Sequence, residues 1–115
     1  MPALSRLMLK THKLEELRDF YECLGFDFEE EQKGKAPPYY AAEAGEARLE
    51  IHPLPEGIVA DATTRLGFTV PDVVVCVSAA RNSSGRVENK PNSGPAGLRA
   101  LLRDPDGRVV ELTQE

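Results

Sequence analysis

LRDPDGRVVELTQE, residues 102 to 115, sets a turn signal between two apolar runs, and its reading decides the fold. Pro105 pre-sets φ for a tight turn, and Asp106-Gly107 supplies residues that tolerate left-handed backbone. With Leu98 to Leu102 on one side and Val109 to Leu112 on the other, a β-hairpin is expected. Strand alternation then points Val110 and Leu112 one way and Val109, Glu111 and Thr113 the other. A carboxylate inside an otherwise apolar strand implies that Glu111 faces a second environment, either water or a site.

The pattern occurs earlier as well. ARLEIH, residues 47 to 52, lies over RVVELT, residues 108 to 113, each a strand with Glu at its fourth place. RLMLKTHKL, residues 6 to 14, lies over RLGFTVPDV, residues 65 to 73, each running from Arg-Leu through a short strand to a polar helix start. Arg6 and Arg65 are 59 positions apart, and Glu50 and Glu111 are 61 apart. Two matches in the same order at nearly one offset argue for a duplicated unit about half the chain long.

In the first copy, residues 5 to 11 read as a strand and 13 to 24 as a helix, because Leu14, Leu17, Tyr21 and Leu24 share one helical face. Glu15 and Glu16 occupy the first turn, where the helix dipole favours them, and Gly25 ends the element. Strands are expected to begin at Phe26-Asp27-Phe28 and to lie at Tyr39 to Ala42 and Arg48 to His52, with EEEQKGK, residues 29 to 35, an exposed loop. The second copy gives a strand at 64 to 70, an N-cap at Asp72 and a helix at 73 to 82, although VVVCVSAA is rich in β-branched residues. Strands near 86 to 90, 97 to 103 and 108 to 113 follow, with NKPNSGPAG a loop. The expected architecture is one α+β domain over residues 1-115: module one 1-53, linker 54-63, module two 64-115. Each module is βαβββ, and the pair forms curved, mostly antiparallel half-barrel sheets with helices outside.

A chain of 115 residues buries roughly two thirds of its unfolded surface, enough for a core without metal or disulfide staples. The net charge of −5 argues against nucleic acid or anionic membrane as a partner. No apolar run reaches the length of a membrane span, and MPALSRLMLKTHK has no secretory core, so a cytoplasmic location is expected. Cys23 and Cys76 lie in apolar stretches without a CxxC, and read as small hydrophobes rather than nucleophiles.

The doubled βαβββ pattern, the helix holding LRDFYECLGF (residues 17 to 26) and the closing DPDGRVVEL (residues 104 to 112) resemble the vicinal oxygen chelate superfamily. That group includes glyoxalase I, bleomycin-resistance proteins, fosfomycin-resistance enzymes and extradiol dioxygenases. The resemblance implies that paired modules form a cup and that homodimers are common. It also implies, for the metal enzymes, one ligand on the first strand and one on the fourth strand of each module. The fourth-strand ligand, a Glu, falls on Glu50 and Glu111, and both match. The first-strand ligand, commonly His, falls on Arg6 and Arg65, and neither matches. A guanidinium stays protonated and has no lone pair for a metal, yet it fits a carboxylate bidentately. The resemblance therefore implies that Arg6, Glu50, Arg65 and Glu111 form one charge-paired cluster in place of a metal centre. No cofactor is expected, with a divalent metal as the alternative.

The ligand-binding candidates are Arg6, Glu50, Arg65 and Glu111, joined by His52 on the face of Glu50, Tyr40 as an aromatic lining and Arg99 as a basic extension. Glu111, Glu50 and His52 are the residues able to serve as acid or base, and together they are also the types a rebuilt metal site would need. The favoured function is metal-free binding of a small molecule in the groove, without catalysis. One alternative is a metal-dependent lyase, isomerase or dioxygenase of the glyoxalase kind. Another is a structural or regulatory domain whose metal site has become Arg-Glu pairs. The expected partners are a small-molecule ligand and a second copy of the chain in a homodimer.

Overall fold

Apolar alternation brings β1 (Arg6–Thr11) alongside β4 (Ala47–Pro53) in parallel, with Met8 opposite Glu50 and Lys10 opposite His52. β3 (Tyr39–Ala44) runs antiparallel to β4, and the short edge strand β2 (Glu29–Glu31) runs antiparallel to β3. The first sheet is thus ordered β1-β4-β3-β2. A second sheet, ordered β5-β8-β7-β6, repeats it with β5 (Leu66–Val70), β8 (Val109–Gln114), β7 (Gly97–Arg103) and β6 (Arg86–Gly94). Helices α1 (Leu14–Glu22) and α2 (Val73–Ala80) follow the first strand of each module. These assignments come from a computed structural model describing residues 1–115. No helix is long and apolar enough to cross a membrane.

The duplication extends to register. Glu50 lies between Met8 and Ala41, and Glu111 between Gly67 and Leu101. Counting along the strands, Arg6 corresponds to Arg65, and Tyr39 to Arg99.

Each helix is placed by its cap and its buried stripe. The Lys13 backbone N–H donates to Thr11 Oγ1 at 2.9 Å, and α1 then buries Leu17, Phe20 and Tyr21. Beyond α1, Gly25 takes a φ of 109°, which a side chain would resist. Asp72 accepts a hydrogen bond from the Val75 N–H at 3.1 Å, and this cap starts α2 despite its β-branched residues. Val73, Cys76, Val77 and Ala80 form its buried face. One core of 19 residues draws on both modules. Tyr21 meets Phe20 edge-on at 5.0 Å and reaches Phe68 of the second module at 6.2 Å. Burying such side chains contributes about 1.5–3 kcal/mol each.

A polar clamp also joins the modules. Asp104, at the end of β7, accepts from Tyr21 Oη at 2.8 Å and from Arg108 Nη1 at 3.1 Å through Oδ2. Its Oδ1 accepts from the backbone N–H groups of Asp106 at 2.9 Å and Arg108 at 3.0 Å. Arg108 Nη2 donates to the Lys10 carbonyl of β1 at 3.1 Å.

Four local expectations are corrected. In the Asp104–Gly107 turn only Gly107 has positive φ, 93°, and the Asp104 side chain does the rest of the shaping. Phe26-Asp27-Phe28 is not the start of a strand: the rings turn into the aromatic cluster, Phe26 to Phe68 at 5.2 Å, and pairing begins at Glu29. EEE therefore forms a charged edge strand rather than a loop, which suits an edge that must not attract another chain. Likewise β6 continues to Gly94, with Pro91 tolerated because this is an edge strand with register shifts around Asn89. The sheets are mostly antiparallel as expected, with only β1–β4 and β5–β8 parallel.

Candidate functional site

Leu49 and Ile51 turn into the core, so Arg48, Glu50 and His52 occupy the other face of β4. Glu50 has a side chain only 3% exposed and is held by three bases. Arg6 Nε lies 3.3 Å and Arg48 Nε 3.0 Å from Oε2, and His52 Nε2 lies 2.9 Å from Oε1. Arg48 also reaches Glu31 of β2 at 2.9 Å, and the Tyr39 hydroxyl donates to the same Glu31 oxygen at 2.9 Å. The Tyr39 ring stacks on His52 with centroids 4.1 Å apart and planes 11° from parallel.

Burial pushes the Glu50 carboxyl up, but bonds from His52 and Arg48 and the charges of Arg6 and Arg48 outweigh it, leaving the group below the ordinary range. Bonds from Tyr39 and Arg48 likewise hold Glu31 down, while burial and the Glu31 contact push the Tyr39 hydroxyl up. Chemically, His52 is an imidazole oriented by a carboxylate through one ring nitrogen, an arrangement suited to proton transfer.

The second module presents a simpler group. Val110 and Leu112 are fully buried, which turns Glu111 to the opposite face as the alternation requires. Arg65 Nη2 lies 3.0 Å and Arg99 Nη2 2.6 Å from the same oxygen, Oε1. Those two bonds hold the Glu111 carboxyl below its ordinary range. Its side chain is 27% exposed, against 3% for Glu50.

The four residues expected to form one cluster are therefore distributed over two groups. Arg6 meets Glu50 and Arg65 meets Glu111, as the duplication demands, but no ion pair joins one carboxylate to the other module's arginine. His52 sits with Glu50 and Arg99 with Glu111. Tyr40, expected to line the groove, points to the other face, where its hydroxyl accepts from Arg18 Nη1 at 2.9 Å and its ring lies 4.7 Å from the guanidinium. Tyr39 takes the groove side instead. Arg48, Glu31 and Tyr39 were not among the expected site residues. Arg48 was legible, standing two places before Glu50 on the same strand face, whereas Glu31 needed the β2 pairing.

A divalent metal does not fit this donor set. At each first-strand position a guanidinium with no lone pair engages the carboxylate that would be a ligand. No three His, Cys, Asp or Glu side chains come together in a way that could hold a metal ion. Open space lies nearby instead. A largely apolar cleft of about 480 Å³ between the modules is lined by Leu7, Phe26, Phe68 and Val70 and touches the Glu50 group only through Arg48. A cleft of about 330 Å³ adjoins Arg99.

Paired βαβββ modules with charged positions on the first and fourth strands define a vicinal-oxygen-chelate type of protein. The family model for the Glyoxalase/Bleomycin resistance protein/Dioxygenase superfamily matches residues 3–112, and the chain belongs to that superfamily. No curated protein matches the sequence. Among solved structures, TnmS3, an antibiotic binding protein from Streptomyces sp. CB03234, is 22% identical with a TM-score of 0.75, over 99% of this chain and 96% of that one. A glyoxalase/bleomycin resistance protein from the same organism is 23% identical with a TM-score of 0.72, over 97% and 100% of the two chains. One from Albidiferax ferrireducens T118 is 21% identical with a TM-score of 0.75, over 97% and 98%. At these identities the likeness concerns the fold.

Proposed function

We propose that this chain binds a small molecule without a metal and catalyses no reaction. The observation that carries the reading is the duplicated substitution: Arg6 on Glu50 and Arg65 on Glu111, at the positions where metal enzymes of the superfamily need lone-pair donors. Lewis-acid chemistry requires a cation held by such donors, and each carboxylate here is already neutralised by guanidinium. The apolar cleft between the modules supports binding, because it offers aromatic and aliphatic walls beside Arg48. The 22% identical antibiotic-binding relative is consistent with such a role. A homodimer belongs to the same reading, as the resemblance to the superfamily implies.

Metal content of the purified, tag-free protein, measured by mass spectrometry after mild dialysis, tests the metal-free part. Near-zero Zn, Ni, Co, Mn and Fe is the expected result. Stoichiometric metal per chain would overturn it and favour the lyase or dioxygenase alternative. A thermal-shift screen of small molecules tests the binding part, and sedimentation tests the dimer.

A further inference from the structure

We infer that the second module is an oxyanion dock, taking the carboxylate or phosphate of a small molecule on Arg65 and Arg99. The inference rests on the reading of the chain as a small-molecule binder and adds the chemical class of ligand. Both guanidiniums converge on one oxygen of Glu111, each through a single Nη2, and neither makes another hydrogen bond. A guanidinium carries five N–H donors, so most remain available for a bidentate oxyanion. Two cations against one carboxylate leave an excess positive charge. The first module has no such excess, because Arg6 and Arg48 face both Glu50 and Glu31.

Register shows how the halves diverged. Where the first module stacks Tyr39 on His52, the second places Arg99 opposite Thr113. Where the first has Met8 beside Glu50, the second has Gly67 beside Glu111, and a Cβ there would meet nothing within 4 Å. Space is therefore open on the β5 side of Glu111, where Gly67 also lines the apolar cleft between the modules. On the other side of Glu111, toward the edge strand, a cleft of about 330 Å³ is lined by Asn89, Lys90, Asn92, Arg99 and Leu101, and none of its lining residues is a carboxylate. In a chain of net charge −5, an acid-free cationic cleft is a local exception. The register shifts of β6 fall between Val87 and Asn89 and between Asn89 and Asn92, where a bulge re-aims side chains. Arginine forks supply the charge, the asparagine amides supply further donors, and Leu101 supplies an apolar floor.

The test is a ¹⁵N–¹H NMR titration of the full chain with inorganic phosphate and, separately, sodium acetate at constant ionic strength. Saturable shifts are expected at Gly67, Asn92 and Arg99 and not at Arg6 or Glu50. Acetate alone would assign a carboxylate and phosphate alone a phosphate ester. Arg99→Tyr and Gly67→Met, each copying the first module, should weaken binding roughly tenfold or more, with the fold checked by circular dichroism. Arg86→Gln removes the same charge at another place, on the edge strand β6, and should change affinity less than about twofold. Absence of saturation, shifts centred on the first module, or unchanged affinity in both Arg99→Tyr and Gly67→Met would overturn the inference. If neither anion binds while a neutral or cationic compound raises the melting temperature, the dock falls and the binding reading stands. If nothing binds, both fall.

Discussion

Replacing Asp104 with alanine attacks the contact that ties hairpin, helix and first strand together. The side chain accepts from Tyr21, Arg108 and the backbone N–H groups of Asp106 and Arg108, and it is fully buried. Its loss leaves the Tyr21 hydroxyl without a partner and the Arg108 guanidinium, 1% exposed, with Asp106 at 3.0 Å and Asp61 at 3.7 Å as its remaining carboxylates. Breaking a buried pair by removing one partner costs about 3–5 kcal/mol. Set against the roughly 5–15 kcal/mol that holds a domain folded, this should lower the melting temperature by about 10–20 °C. Asp104→Asn keeps an acceptor for the turn but not the charge, and should cost about 1–3 kcal/mol, while Tyr21→Phe should cost about 1 kcal/mol. Urea unfolding followed by far-UV circular dichroism reads all three, since the chain has no Trp to report by fluorescence. A loss below about 1 kcal/mol for Asp104→Ala would refute the view that this carboxylate clamps the modules.

Acid should weaken the fold through the carboxylates held by the arginines. Glu31, Glu50 and Glu111 are all depressed, so their contribution is present above the ordinary glutamate value of 4.5 and is lost as pH falls through their lower folded values. Glu50→Gln should therefore cost about 1–3 kcal/mol at neutral pH and flatten the acid limb of a melting-temperature profile; an unchanged limb would remove Glu50 from its cause. Gly85→Ala should destabilise by about 1–3 kcal/mol, because the added Cβ would overlap the Phe20 ring and come within 2.6 Å of the Arg103 carbonyl. A melting temperature equal to wild type would mean that α1 packs less tightly against the second module.

The fold was legible because hydrophobic period and duplication agree. Val110 and Leu112 turn inward and Glu111 outward as alternation requires, and the Asp72 cap overrides the β-branched content of α2. Edges were harder to read. Glu29 to Glu31 have poor strand propensity, and they pair only because Tyr39 to Ala41 offer a ladder. The site was half legible for the same reason. Strand spacing places Arg6, Arg48, Glu50 and His52 on one face, but whether Tyr39 or Tyr40 joins them depends on a register that local sequence does not fix. Nor does the chain's order reveal that the two carboxylates gather separate sets of partners. Superfamily geometry suggested one cluster, whereas the single chain places one group on each sheet.

That separation bears on which half can exchange partners with a ligand. Glu50 is out of water, so a ligand displacing Arg48 or His52 would take a close partner from a buried carboxylate, which is costly even with Arg6 remaining at 3.3 Å. Glu111 is partly hydrated, and the side chains of Arg65 and Arg99 are 58% and 44% exposed, so their mutual attraction is screened and each can turn toward a new oxyanion at little cost. A duplicated pair of Arg-Glu positions thus need not mean duplicated roles. The first half fills its face with a stacked Tyr39–His52 pair and a balanced charge network that stiffens the sheet. The second substitutes Gly67 and Arg99 at the matching places and leaves room and exposed charge beside Glu111, which are the properties that a reversible binding site requires.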